Sequence, residues 1–333
     1  MPDRSTRTDR AGLEDIAIDT PDREEQLITR AAWLSYVAGL TQAQIAKRLG
    51  LNRVRVNRML AQARDQGIVQ IRINSKLTEC VALEERLRDR FGVASANVVP
   101  TPSDKALVRQ AIAVGAGAVL SEAIRDGMSI GMGWGRTLRL SLRSVAIRPV
   151  HDLSVVSLLG GLTRGSTLNM FETASRLADL YNAECYYIAA PVFTDTEQMR
   201  DILLRQSVLE DAFDHARKVD VAFVSVGALG SDATMTRLGL ISDDELASLR
   251  AAGAVGDLCA HWIDAKGQIV DHPLNRRVIA LAPEDLRPIP TVILASGGPD
   301  KVPAIRAALA LGIVDTIVTD ERSAAAVLGL PGA

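Results

Sequence analysis

Cysteine, histidine and long apolar runs are all in short supply in this chain of 333 residues. The three cysteines, Cys80, Cys185 and Cys259, are odd in number and far apart. That argues against a disulfide framework and a CxxC metal site, and points to a reducing, cytoplasmic setting. His151, His215, His261 and His272 show no metal-ligand spacing, so no metal is expected. No apolar run reaches the roughly 18 residues that span a bilayer. The opening residues are polar and mixed in charge, with no apolar core of a secretory signal, and 1–23 reads as a disordered tail. The chain also lacks a GK[ST] phosphate loop and a nucleophile elbow.

What is present begins with charge. The net charge of −2 hides a segment, Thr41 to Lys76, that carries +7 and leaves −9 for the rest. A basic module on an acidic body suggests a polyanionic partner for that module alone.

The same segment has helical punctuation. Leu27, Ala31, Leu34 and Tyr36-Val37 recur at helical spacing before Gly39. Thr41 is suited to cap a second helix, TQAQIAKRL, with Gln44 as its capping-box partner, and Gly50 closes it. Asn52 can cap a third helix, RVRVNRMLAQARDQ, that stops at Gly67, and IVQIRI then alternates as a strand does. Three helices and a trailing strand over 24–74 predict a winged helix-turn-helix that binds double-stranded DNA. Val56, Met59 and Leu60 should face inward. Arg53, Arg55, Asn57 and Arg58 then sit where a recognition helix meets base edges: Arg suits guanine and Asn suits adenine. Lys47, Arg64 and Arg72 are placed for phosphates, and Gln42 either touches a phosphate or is merely solvated. Residues 75–92 read as an amphipathic linker helix with Leu77, Val81, Leu87 and Phe91 on one side. It pairs either with its copy or with its own chain.

From 93 to 333 strand-like and helix-like runs alternate, which predicts a doubly wound, Rossmann-like, mostly parallel sheet. The strand runs are ANVVP, MSIGMG, LSVVSLLGG, ECYYIAAP, VDVAFVSVG, QIVDHPL, RVIALA, TVILASGG and TIVTD. Helices are expected over 104–125, from Thr137, and over 169–182, 197–214, 243–252 and 302–311, with one more at the end. Five strand ends carry glycine-rich or polar loops: GMGWGRT, GGLTRGST, APVF, GALG and SGGPDK. Ligands of such sheets bind past those ends. In the first loop the glycines fall at 131, 133 and 135, with Arg136 where a dinucleotide fingerprint needs its third glycine. NAD and ATP are therefore not expected, and no cofactor is. The backbone N–H groups, the Arg136 guanidinium and the Thr137 hydroxyl could hold one small phosphate. Asp257 could accept sugar hydroxyls while Lys301 or Arg164 takes ligand charge. Trp134 either packs or lines the pocket mouth.

GLTQAQIAKRLGLNRVRVNRML, GIVQIRI, SIGMGWGRTL, VSLLGG, GALG, GAVGD and VILASGGPDKVPAIRAAL with IVTDERSA together resemble the SorC (DeoR-like) family of bacterial sugar-binding transcriptional regulators, from about Ile28 to Leu328. The resemblance implies an effector domain related to sugar-phosphate isomerases, a phosphorylated sugar or polyol as ligand, and a dimer or tetramer. It places Gly133, Gly135, Arg136 and Thr137 at phosphate, with Trp134, Gly161 and Arg164 nearby, and Asp257 and Lys301 at the ligand. Trp134 and Arg136 depart from the small or polar residues often found in that loop. The competing expectation is a sugar-phosphate isomerase or deaminase carrying a DNA-binding appendage.

Overall fold

The computed structural model describes residues 23–69, 77–162 and 170–330. The expected tail, apart from Arg23, lies outside the described residues, as do 70–73 of the expected wing strand, Arg72 and Arg164. The chain divides into two compact units, Met1–Asn74 and Ser75–Ala333.

The first unit holds α1 (Arg23–Tyr36), α2 (Gln42–Leu49) and α3 (Arg53–Asp65). Local chemistry sets the boundaries. The Thr41 hydroxyl accepts from the Gln44 N–H at 3.4 Å while the Gln44 side chain accepts from the Thr41 N–H at 2.9 Å, a closed capping box. Gly50 ends α2 in the left-handed region at φ 69°, and Asn52 Oδ1 caps α3 by accepting from the Arg55 N–H at 2.8 Å. Val56, Met59, Leu60 and Ala63 face Ile28, Ala31 and Leu34 of α1 and Ile45 of α2, one small apolar core.

The second unit opens with α4 (Thr78–Phe91), β1 (Ser95–Val99), α5 (Val108–Ala123), β2 (Ser129–Met132), α6 (Arg136–Ser141), β3 (Ser154–Ser157), α7 (Met170–Tyr181) and β4 (Glu184–Tyr186). It continues with α8 (Glu197–Leu204), α9 (Ser207–Arg217), β5 (Val221–Val224), β6 (Val226–Ala228), α10 (Thr234–Arg237), α11 (Asp243–Ala251), β7 (Gly256–Leu258) and β8 (His261–Ile263). It closes with β9 (Thr291–Ala295), α12 (Val302–Ala310), β10 (Thr316–Asp320) and α13 (Glu321–Leu328). Seven strands form one sheet in the order β1-β10-β9-β5-β2-β3-β4, all pairs parallel. β6, β7 and β8 form a small antiparallel sheet.

Both faces of the large sheet are covered, as a parallel sheet requires. Val221 and Phe223 point into the core shared with α5, α6 and α7, while Ala222 and Val224 point into the opposite core. Ile293 and Val292 divide in the same way. The stretch Lys105–Ala123 has the length and composition to cross a membrane. Its Ile112, Ala116 and Leu120 are instead buried in one of these two cores.

The sequence pattern needs correction in several places, and β7 and β8 were not among its expected strands. VDVAFVSVG is two strands, β5 in the large sheet and β6 in the small one, hinged at Ser225. QIVDHPL and RVIALA form no strands; Ile269, Val278 and Ala280 make only isolated bridges to three different partners. The helix expected over 197–214 breaks into α8 and α9 at Arg205-Gln206. The linker helix packs on its own chain. Cys80, Leu83 and Leu87 of α4 enter the core beneath β1 and α13, whereas Leu77 and Val81, expected on the apolar side, are 52% and 53% exposed. Glu84 also serves the sheet, because its Oε1 accepts the Val98 N–H of edge strand β1 at 2.8 Å.

A fragment starting at Ser75 is therefore expected to melt cooperatively near the temperature of the same unit in the full chain. One starting at Val93 exposes the seats of Leu83 and Leu87 and should melt well below it or aggregate. Equal melting of the two in scanning calorimetry would show that α4 adds nothing to this core.

Candidate functional site

The large sheet divides between β2 and β5. From β2 the order runs outward through β3 and β4, and from β5 it runs the other way through β9 and β10. The loops leaving β2 and β5 part company there, and the gap past their carboxyl ends is where open α/β sheets take ligands. A cavity of about 90 Å³ occupies it. Trp134, Gly135, Arg136 and Thr137 come from the β2–α6 turn, and Ser225 to Ala228 from the β5–β6 continuation. Asp257 comes from β7, Lys301 from the turn before α12, Arg109 from the start of α5 and Arg237 from the end of α10.

Asp257 is the most constrained of these groups. It is 2% exposed, and its Oδ2 has no hydrogen-bond partner. Burial pushes its carboxyl up to about 7, against the pull of nearby Lys301 and of the Ala260 N–H. Glycine at 227 makes room for it: a Cβ there would lie 1.8 Å from Asp257 Oδ1. Glycine at 256 lets α12 close on the small sheet, since a Cβ would fall 2.4 Å from the Gly227 carbonyl oxygen and 2.5 Å from Ala304 Cβ. The β7–β8 turn carries two non-glycine residues at positive φ, Cys259 at 50° and Ala260 at 64°, the backbone of a tight hairpin turn. Strain of that kind is held in place by the surrounding core.

Four cations line the same cavity, and Lys301 is the one that acts on this carboxyl. Burial lowers the Lys301 pKa, and Asp257 and Asp300 act against that drop. Burial also lowers that of Arg136, with Arg237 and Arg109 adding repulsion. Arg109, Arg136, Arg237 and Lys301 share the cavity wall with Asp232, Asp257 and Asp300. Arg136 and Lys301 are partly buried there, with Arg109 and Arg237 on the exposed rim, and that grouping of positive charge favours an anion between them.

The expected ligand residues are brought together in part. Trp134, Gly135, Arg136, Thr137, Asp257 and Lys301 line one cavity. Gly135 caps α6 at φ 131°, a conformation for glycine only. Gly133 does not line it. Its N–H donates to the Phe223 carbonyl at 2.9 Å, and a Cβ would come within 3.1 Å of that same oxygen, so this glycine serves strand packing. Gly161 lies apart, in a second depression beside Pro191, Phe193 and Thr194. Arg109, Arg237, Gly227, Asp232 and Asp300 were not singled out from the sequence. GALG and SGGPDK flagged the loops of Gly227 and Asp300, but Arg109 and Arg237 sit in helices with no motif.

On the first unit, Arg53, Arg55, Asn57 and Arg58 are all exposed along the outer side of α3, and Lys47 is exposed on α2. Gln42, expected either at a phosphate or merely solvated, donates from Nε2 to Asn57 Oδ1 at 3.2 Å and accepts from Arg53 Nε at 3.4 Å. Arg64 donates to the Tyr36 hydroxyl at 2.9 Å. These three bonds orient side chains that a solvated face would leave loose.

Two outcomes follow from Asp257 and its glycine. Between about pH 4 and 7 the folded carboxyl keeps a proton that the unfolded one, at its ordinary ~3.9, has released, so rising pH favours unfolding. Wild-type stability relative to Asp257→Asn should therefore fall across that window, by at most about 1.4 kcal/mol per pH unit. A constant difference in denaturant titrations would show that the carboxyl is not held neutral. Gly227→Ala should cost about 1–3 kcal/mol by displacing that carboxylate, and a loss of only a few tenths would mean that the side chain has room to turn aside.

Residues 75–329 match the family described as "Putative sugar-binding domain". The chain is 34% identical over 312 residues to the erythritol catabolism regulatory protein EryD of Brucella abortus, covering 93% of this chain and 98% of that one. It is 31% identical over 312 residues to the deoxyribonucleoside regulator of Bacillus subtilis, covering 92% and 99%. The full-length sorbitol operon regulator SorC of Klebsiella pneumoniae superposes with a TM-score of 0.71 at 26% identity, covering 91% of this chain and 98% of that one. These relatives are regulators and not enzymes, which sets aside the isomerase or deaminase expectation. The chain belongs to the SorC/DeoR-like family of sugar-binding transcriptional regulators.

Proposed function

We propose that this regulator is a cytoplasmic homo-oligomer, a dimer or tetramer, whose affinity for operator DNA is set by a small phosphorylated sugar or polyol. A winged helix-turn-helix over residues 24–74 holds double-stranded DNA. Residues 93–333, together with α4, form the sensing unit. Similar regulators are named for erythritol, sorbitol and deoxyribonucleosides, all small and polyhydroxylated.

The observation that carries the reading is the pairing of four cations with an unpartnered buried carboxyl at the divide of the sheet. A free polyol offers hydroxyls to Asp257 but no negative charge to Arg109, Arg136, Arg237 and Lys301. A phosphorylated one offers both. Its phosphate accepts from Arg136, the Thr137 hydroxyl and Lys301 at the start of α6, and a ligand hydroxyl donates to the open Asp257 Oδ2. A closed pair of subunits presents two α3 helices to successive major grooves, about 34 Å apart. The ligand changes DNA affinity only as far as it binds the DNA-competent arrangement better or worse than the other.

Calorimetric titration with matched phosphorylated and free four- to six-carbon polyols and sugars tests this. One phosphorylated compound should bind, and its free form at least about tenfold more weakly. Arg136→Ala should lose about 10–100-fold, the worth of a hydrogen bond to a charged group. Equal binding of the free form, with no effect of Arg136→Ala, would show a sensor of the unphosphorylated compound.

A further inference from the structure

The outward face of α3 is not wholly polar. Val54 is 79% exposed, the highest value among the large apolar side chains described. At about 100° per residue it stands nearly opposite the buried stripe of Val56, Met59, Leu60 and Ala63, at the middle of the solvent face. Asn57 and Arg58 follow it at i+3 and i+4 on the same ridge. An exposed β-branched residue weakens a helix slightly against alanine, and Val54 is not part of the core of its unit. The folded chain gains nothing visible from it.

Its neighbours explain it. Arg53, Arg55 and Arg58 surround it with the charge that draws a phosphate backbone, within a segment of net +7. Asn57 is held by Gln42: the Gln42 amide donates to Asn57 Oδ1, leaving the Asn57 amide hydrogens and the second Oδ1 lone pair for an adenine edge. An A·T pair shows one apolar group in the major groove, the thymine C5-methyl. The side chain that complements a methyl is a small branched alkyl group, three residues before the asparagine on the same face.

We infer that Val54 is a specificity-determining residue of the DNA-binding unit, reading a thymine methyl at or next to the A·T pair that Asn57 reads. The inference rests on the first unit being the DNA-binding one. Burying one methyl is worth about 0.8 kcal/mol, or about fourfold in affinity.

The test uses the full-length protein and a random-sequence duplex library. The enriched duplex is remade with deoxyuridine in place of each thymine in turn, which removes only the methyl. One position per half-site should lose about fourfold, and replacing both symmetric thymines should lose about 16-fold. Val54→Ala should bind thymine and deoxyuridine duplexes equally at that position, keep the discrimination carried by Asn57, and melt no lower than wild type. An enriched sequence indifferent to every thymine methyl overturns the assignment, as does a Val54→Ala protein that keeps the full methyl preference. If no sequence is enriched at all, the DNA-binding reading of the unit fails and the role of Val54 fails with it.

Discussion

A carboxyl group buried with one oxygen unpartnered is costly to fold around, and the cavity at the divide of the large sheet is built to hold one. Asp257 keeps its place because Gly227 has no side chain, because Gly256 lets α12 press against the small sheet, and because the β7–β8 turn accepts two residues at positive φ. Each feature costs a little local stability, and the large two-sided core offsets it. The outcome is a carboxyl whose pKa is pushed up to about 7, in one cavity with a half-buried lysine and three arginines. It can meet hydroxyls while its neighbours meet charge.

The large sheet supplies the position and most of the cations, and the small sheet supplies the carboxyl. Parallel winding in opposite directions from β2 and β5 opens a gap at their carboxyl ends. β5 does not stop there, since its continuation as β6 carries Gly227 to Asp257. The Gly117 position links the core to the Arg136 side of the cavity, because a Cβ there would lie 2.4 Å from the Ser141 carbonyl at the end of α6. α5 can thus lie close against the helix that Gly135 starts. The same α5 brings Arg109 to the rim.

Much of this was legible in the sequence, for local reasons. Thr41, Gln44, Gly50 and Asn52 are capping residues whose roles depend on a few neighbours, and they cap as expected. The long alternation of strands and helices announced a doubly wound sheet, and glycine-rich strand ends pointed to Arg136, Asp257 and Lys301. What failed was non-local. RVIALA and QIVDHPL have strand composition, but their positions against three separate elements leave them only single bridges. Leu77 and Val81 fit an apolar stripe on α4, yet β1 and α13 lie against the adjacent stripe of Cys80, Leu83 and Leu87. Gly133 belonged to a ligand-like motif, but its N–H is already taken by Phe223. Arg109 and Arg237 reach the cavity only through the fold.

In the proposed mechanism, an anionic effector in this cavity and DNA on the other unit are thermodynamically coupled. Coupling of that kind is reciprocal: whatever factor the effector applies to DNA affinity, DNA applies to effector affinity. The decisive measurement determines effector affinity with and without bound operator, and operator affinity with and without effector, for wild type and Arg136→Ala. The account predicts equal factors in both directions for wild type, and an Arg136→Ala protein that binds operator normally but no longer responds. A response preserved in Arg136→Ala, or an effector that binds tightly and leaves operator affinity unchanged, would contradict it.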